Sequence, residues 1–171
     1  NFSAISVREK DLFDLLKDIV KIEVVHVIDP TLLVEKNVWD KLLSKYQLSM
    51  PKKKYILYYR LHPNTRSDKA TKEIANEMGL AIKIVNGTPE PFHYAKKYEE
   101  TASVEDFLWL MQNADFVVTT SFHGLAMAIQ YNKQFYAFTY KRTHNRLQSL
   151  LNSLNIRNRL NPNYICINDT I

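Results

Sequence analysis

The chain has 171 residues, of which 46% are hydrophobic and 24% are charged, and its formal net charge is +5. This length and apolar content suit a continuous core, so we expect residues 1–171 to form a single domain. No apolar run is long enough to predict a membrane span, and the basic residues are too dispersed to predict a nucleic-acid surface. The single cysteine, Cys166, cannot form an internal disulfide, which favours a reducing, cytoplasmic location.

Apolar runs rich in β-branched and aromatic residues alternate with helical patterns along the chain. The predicted strands are residues 2–7, 22–28, 55–61, 80–85, 116–120, 135–139 and 164–167. Between most of them, apolar residues recur at the three- and four-residue spacing of an amphipathic helix, as at Leu12, Leu15, Leu16 and Ile19. Alternating buried strands and helices predict an α/β fold with a mostly parallel sheet and helices on both faces.

Glycine is scarce, because the chain contains only Gly79, Gly87 and Gly124. Gly79 follows a helical pattern and is predicted to end that helix, while Gly87 closes an apolar run and predicts a turn. So few glycines exclude a dinucleotide-binding fingerprint and a phosphate-binding P-loop. Another local signal is Ser103 with Asp106 three residues later, a capping box that predicts the start of a helix.

The third glycine belongs to the sequence Ser121-Phe122-His123-Gly124, which follows strand 116–120 and opens a helical pattern. Ligands of α/β sheets bind beyond the carboxyl ends of the strands, and a helix N-terminus offers N–H groups and partial positive charge to an anion. The missing side chain of Gly124 would let a ligand approach the backbone. The sequence therefore predicts an anion site beside His123, although a histidine that only hydrogen-bonds a carbonyl fits the same pattern.

Basic residues follow two other predicted strands. Arg60 and His62 lie at the end of strand 55–61, where a solvated loop is the favoured interpretation. They would support the site only if strand order brings them beside Gly124. Arg142 and Arg146, with a histidine between them, follow strand 135–139 and open the next helical pattern. Helices usually begin with acidic residues, so two arginines at the start of this helical pattern are unexpected. Departures from a local preference are common at functional sites, which makes these arginines site candidates.

The remaining polar candidates have simpler interpretations. The sequence Asp29-Pro30-Thr31 predicts a turn after strand 22–28. His26, inside that strand, is interpreted as a core histidine, and His93 has no distinguishing context. The five histidines show no metal-binding spacing and there is no cysteine cluster, so no metal site is expected.

Four segments together resemble the C-terminal half of a polysaccharide pyruvyl transferase. They are SVRE at 6–9, DPTLL at 29–33 followed by Trp39, residues 107–124, and the tail 142–159; the most specific piece is NADFVVTTSFHG at 113–124. The resemblance implies a Rossmann-like domain that forms one half of a GT-B-like fold. It also implies that the chain is the C-terminal, donor-side half of a larger two-domain protein. Because the chain opens at Asn1 rather than at a methionine, we expect further residues to precede it.

The same resemblance implies a function. Phosphoenolpyruvate would give its enolpyruvyl unit to a sugar as a ketal in bacterial surface polysaccharide biosynthesis, without a cofactor. The implied partners are a saccharide or lipid-linked glycan acceptor and the N-terminal domain of the same protein. The implied location is the cytoplasm, where peripheral association with the inner face of the membrane is compatible with a lipid-linked acceptor.

Site residues are implied in turn. His123 is the catalytic candidate, and Ser121, Phe122 and Gly124 beside it are candidates for binding the anionic donor. Members of the family commonly carry an arginine two residues before this histidine, where the present chain has Ser121. Arg8 matches an early arginine of the family, and we expect Arg142 or Arg146 to supply the charge that Ser121 lacks.

Two other functions fit the sequence. One is the donor domain of a GT-B glycosyltransferase, whose nucleotide-sugar diphosphate would lie at the same helix end. The other is a non-catalytic domain that binds an anionic glycan or a protein partner.

Overall fold

The computed structural model describes residues 2–46, 53–86, 98–99, 102–139 and 144–163, in which the strands form two separate parallel sheets. The smaller sheet pairs β1 (Ala4–Val7) with β2 (Glu23–His26), and α1 (Lys10–Leu16) connects the two strands. The larger sheet contains β3 (Tyr55–Arg60), β4 (Ala81–Asn86), β5 (Tyr98–Glu99), β6 (Phe116–Thr119) and β7 (Phe135–Ala137). Its strand order is β5-β4-β3-β6-β7, and every pair is parallel.

Helices cover both faces of the larger sheet, as the alternating sequence pattern predicts. They are α2 (Lys36–Leu43), α3 (Thr65–Met78), α4 (Val104–Asn113), α5 (Phe122–Gln130) and α6 (His144–Ser153). Tyr55 and Leu57 of β3 join the core shared with α4, α5 and α6, whereas Ile56 and Tyr58 join the core shared with α3. Successive residues of a strand point to opposite faces, so burial on both faces requires the continuous apolar runs seen in the sequence.

Local signals place several element ends correctly. The capping box is present: Asp106 N donates to Ser103 Oγ at 3.0 Å, and Ser103 N donates to Asp106 Oδ2 at 3.1 Å. Gly79 ends α3 with φ of +65°, a conformation that favours glycine. The predicted turn at Gly87, the predicted strand 164–167 and Cys166 lie outside the described residues.

The smaller sheet differs from the prediction of uniformly buried strands. His26 is exposed on β2, so its interpretation as a core histidine is wrong. Its ring lies 6.1 Å from the ring of Phe13 on α1. Several large apolar side chains of this unit are also exposed, namely Leu12, Leu15, Ile19, Val25 and Ile28. Two strands and one short helix are too few to enclose a core, which leaves these side chains uncovered within the described residues.

Specific contacts fasten the smaller sheet to the larger one. After β2, residues Pro30–Leu33 form a 3-10 helix that packs against α5. Gln130, at the end of α5, donates through Nε2 to the carbonyls of Thr31 and Val34, both at 2.8 Å, and accepts from Trp39 Nε1 at 3.0 Å. The carboxyl end of β2 is therefore held next to α5. No helix in the described part of the chain is both long and apolar enough to cross a membrane.

Candidate anion-binding site

The turn between β6 and α5 has the geometry that its sequence predicts. Ser121 is buried and caps α5, since its Oγ accepts from Gly124 N at 3.4 Å. Thr119 Oγ1 in turn accepts from Ser121 N at 3.0 Å. These hydrogen bonds satisfy backbone groups at the strand–helix junction, so the turn is rigid and buried. Ser121 therefore acts here as a helix cap.

Gly124 has a structural explanation that the sequence did not reveal. A Cβ atom at this position would lie 2.3 Å from Thr119 Oγ1 and 2.7 Å from Tyr59 Cδ1. The expected open space for a ligand is thus filled by two side chains of the protein itself. The glycine permits close packing of α5 on β3 and β6, and a contact between its backbone and a donor stays a prediction.

His123 lies in the first turn of α5 and is exposed. Its ring meets the ring of Phe122 edge-on, at 5.9 Å between centroids. Phe122 points inward and His123 outward, so these adjacent residues present one ring to the protein interior and one to solvent. The placement leaves the imidazole accessible to a substrate, and its catalytic role stays a prediction.

A cavity of about 130 Å³ lies between the end of β2, the start of α5 and one face of α6. Three of the predicted site residues, Arg8, Phe122 and Arg146, line it together with Asp29. Four apolar side chains and three further polar ones complete the wall, namely Val27, Ile28, Leu32, Leu150, His26, Ser149 and Ser153. Residues from four separate parts of the chain thus form one small, partly basic site.

Asp29 is the centre of the charged wall of this cavity. Its side chain is only 2% exposed, and Oδ2 accepts from Arg8 Nη1 at 2.6 Å and from Arg146 Nη2 at 3.1 Å. Oδ1 accepts from Thr31 N at 3.0 Å. Burial alone would raise the pKa of Asp29, but the hydrogen bonds from Thr31 and the charge of Arg8 outweigh it and lower that pKa below its usual value.

Arg146 has two further contacts that fix its guanidinium. The group lies over the ring of Phe122, 4.4 Å from its centroid, and Nε is 2.8 Å from Glu9 Oε1. Next to it on α6, Asn145 donates to Asp11 at 2.6 Å. Carboxylates of the β1–α1 segment therefore contact the start of α6. The charge pattern around α6 did not indicate these contacts, because they join residues far apart in the sequence.

Arg60 and His62 lie close to the β6–α5 turn but do not join the cavity. Strand β3 pairs with β6, and Leu61 N donates to Thr120 Oγ1 at 3.0 Å, so the loop is where the conditional prediction requires it. The Arg60 side chain is buried, however, and pairs with Asp68 on α3, with Nε 3.1 Å from Oδ1. His62 is exposed, and a supporting role for either residue stays a prediction.

Sequence reasoning missed Asp29 as a site residue. The predicted turn is present, because Asp29 caps the 3-10 helix, yet the same carboxylate also binds two arginines. Its position directly after a strand was the available signal. Arg142 lies outside the described residues, as does His93. Within the described ranges, no group of three histidine, cysteine, aspartate or glutamate residues is placed to hold a metal ion.

The fold is similar to that of UDP-GlcNAc 2-epimerase from Methanocaldococcus jannaschii, whose crystal structure is a complex with UDP-GlcNAc and UDP. The TM-score is 0.58 at 16% identity, and the match covers 91% of this chain and 54% of the epimerase. The chain thus spans about half the length of that enzyme, and at this identity the likeness shows the α/β fold alone. No curated protein is significantly similar to the chain.

Sequence similarity to a family is more specific. The family described as polysaccharide pyruvyl transferase matches residues 1–142. The matched range contains Arg8, Asp29 and the whole β6–α5 turn, while Arg146 lies just beyond it. Because the match covers most of its length, the chain belongs to the polysaccharide pyruvyl transferase family.

Proposed function

We propose that the chain is the donor-side half of an enzyme that transfers pyruvate from phosphoenolpyruvate to a sugar as a ketal, for a bacterial surface polysaccharide. Two sugar hydroxyls add to the enol carbon, the bond from that carbon to the phosphate oxygen breaks, and the methylene carbon gains a proton. The second hydroxyl proton leaves with inorganic phosphate. One observation carries the proposal: in a chain of this family, Arg8 and Arg146 converge on one small cavity.

The charges at the cavity suit this donor. Phosphoenolpyruvate carries a phosphate and a carboxylate, and a guanidinium binds either group through two parallel hydrogen bonds. Arg8 is 42% exposed and Arg146 26% exposed, and in this proposal the N–H groups that face neither Asp29 nor Glu9 bind the ligand. The cavity thus offers two fixed donors for a dianionic or trianionic molecule.

A compact anion can bind at the two arginines of this cavity of about 130 Å³, which opens to solvent. The alternative of a nucleotide-sugar donor rests on the epimerase, which was solved with UDP-GlcNAc and UDP.

Proton transfer is assigned to His123. Protonation of the methylene carbon and deprotonation of the attacking hydroxyl both need a group that exchanges protons near neutral pH, which imidazole provides. His123 is adjacent to Phe122, whose ring lines the cavity, and its own ring faces outward. A sugar approaching from solvent can reach the exposed His123, which stands outside the lining of the cavity.

The acceptor side belongs to a further domain in this proposal. The exposed apolar residues of the β1–α1–β2 unit, including Leu15, Ile19 and Ile28, offer a surface on which the N-terminal domain of the same protein can pack. A saccharide or lipid-linked glycan would bind between the two domains, in the cytoplasm or at the inner face of the membrane. The 171-residue chain alone is then expected to fold without turning over the donor.

Calorimetry on the full-length protein separates the candidate donors. We expect phosphoenolpyruvate to bind and UDP-GlcNAc to give no heat at the same concentration. Phosphate release that requires both phosphoenolpyruvate and a glycan acceptor would then support transfer. Binding of the nucleotide sugar alone would favour the glycosyltransferase alternative, and binding of a glycan without any turnover would favour the non-catalytic one.

A further inference from the structure

We propose that Asp29 is a positioning residue of the donor site, whose carboxylate sets the placement of the two arginines that bind phosphoenolpyruvate. This inference rests on the proposed function. Arg8 follows β1 and Arg146 belongs to α6, and the two guanidiniums meet at one oxygen of Asp29, 2.6 Å and 3.1 Å away. Two like charges this close repel each other, so a carboxylate between them is what allows both to line one cavity.

Asp29 is itself held in place from the interior of the protein. Its second oxygen accepts from Thr31 N, and Thr31 O accepts from Gln130 at the end of α5. Pro30 opens the 3-10 helix with its fixed φ angle. The carboxylate is 2% exposed and cannot rotate toward solvent without breaking these contacts. Asp29 therefore connects the position of α5 to the two longer arginine side chains.

The second carboxylate of the cluster behaves differently. Glu9 pairs with Arg146 Nε at 2.8 Å but is 24% exposed and lies at the start of α1. Asp29, whose side chain is 2% exposed and accepts from Thr31 N, is the better fixed of the two carboxylates. We therefore assign the positioning role to Asp29 and not to Glu9.

The test is kinetic and uses the full-length protein. Asp29→Asn keeps the size of the side chain and an oxygen that can accept from Thr31 N, but it removes the charge that orders the arginines. We expect KM for phosphoenolpyruvate to rise about tenfold, with kcat changed less than about twofold. Asp14→Asn is the matched control, because Asp14 pairs with Lys10 and Lys17 on the exposed side of the same unit, and it should leave KM unchanged.

A positioning role predicts a specific non-additivity. In a protein that already carries Arg8→Gln and Arg146→Gln, Asp29→Asn should raise KM no further, because nothing remains to be positioned. A tenfold effect that persists in this background, or an unchanged KM in Asp29→Asn alone, would overturn the proposal.

Failure of the proposed function gives a different pattern. If the wild-type protein neither binds nor consumes phosphoenolpyruvate, the donor assignment is wrong. The melting temperatures of the same variants then test the contact itself: an ion pair between Asp29 and Arg8 predicts that the Tm shifts of Asp29→Asn and Arg8→Gln do not add. Additive shifts would contradict the coupling between the two residues independently of any substrate.

Discussion

Gly124→Ala tests the packing of the β6–α5 junction, which shapes the candidate site. The added methyl group would lie 2.3 Å from Thr119 Oγ1 and 2.7 Å from Tyr59 Cδ1, well inside van der Waals contact. Forcing a carbon into a packed interior costs about 1–3 kcal/mol, whereas replacing glycine with alanine inside a helix returns about 0.5–1 kcal/mol. We therefore expect a net loss of about 1–2 kcal/mol in the free energy of unfolding, measured by urea denaturation.

A second variant identifies the cause of that loss. Thr119→Ala removes the nearer of the two clashing groups, so the double variant with Gly124→Ala should recover part of the lost stability relative to the sum of the single changes. Gly79→Ala serves as a contrast, because its added Cβ meets nothing within 4 Å and its cost comes from the positive φ alone. A Gly124→Ala protein as stable as the wild type would refute the packing explanation and return the glycine to a ligand-approach role.

Three further predictions concern the site. Arg8→Lys and Arg146→Lys keep the charge but lose the planar guanidinium, so each should weaken phosphoenolpyruvate binding by about tenfold in calorimetry. Arg66→Lys, at an exposed position on α3, is the control. Unchanged binding in both site variants would contradict the assignment. His123→Ala should lower turnover of the full-length enzyme by roughly two to four decades, the usual range for loss of a general acid or base. The melting temperature should stay unchanged because the side chain is exposed. Wild-type turnover in this variant would show that His123 has no catalytic role. The pKa of Asp29 is lowered in the folded state, so its ionisation stabilises the fold above the ordinary aspartate pKa of 3.8, and this contribution disappears as pH falls through the folded pKa. Urea titrations should therefore show the stabilities of the wild type and Asp29→Asn converging below about pH 4. A constant difference between them would contradict the ion pair.

Much of the larger sheet could be predicted from sequence because its signals are local. The runs at β3, β4 and β6 are continuous and apolar, and the observed strands lie within the predicted ranges or differ by about one residue. The capping box at Ser103 and the left-handed Gly79 likewise depend on neighbours in the chain. The hydrophobic periodicity of a sequence predicts a strand or helix correctly when the faces that it marks as apolar are buried in the fold.

The candidate site could be predicted only in part, because it depends on long-range packing. Arg8 and Arg146 were identified from a family resemblance and a breach of helix charge preference, but Asp29 joins Arg146 across 117 positions of sequence. No local pattern distinguishes a carboxylate that only caps a turn from one that also binds two arginines. His26 failed for a related reason: its strand looks buried in sequence, yet its sheet has only two strands and leaves it exposed.

The central claim is that this family member uses phosphoenolpyruvate as a donor held by the arginine-lined cavity. The most direct measurement incubates the full-length protein with phosphoenolpyruvate labelled at the methylene carbon and a glycan acceptor, then follows the label by NMR. We expect the label to appear as the methyl group of a glycan-bound ketal, in a one-to-one ratio with released phosphate. An Arg8→Lys, Arg146→Lys double variant should lose this product at low donor concentration. Transfer of a sugar from UDP-GlcNAc with no incorporation of the label would contradict it.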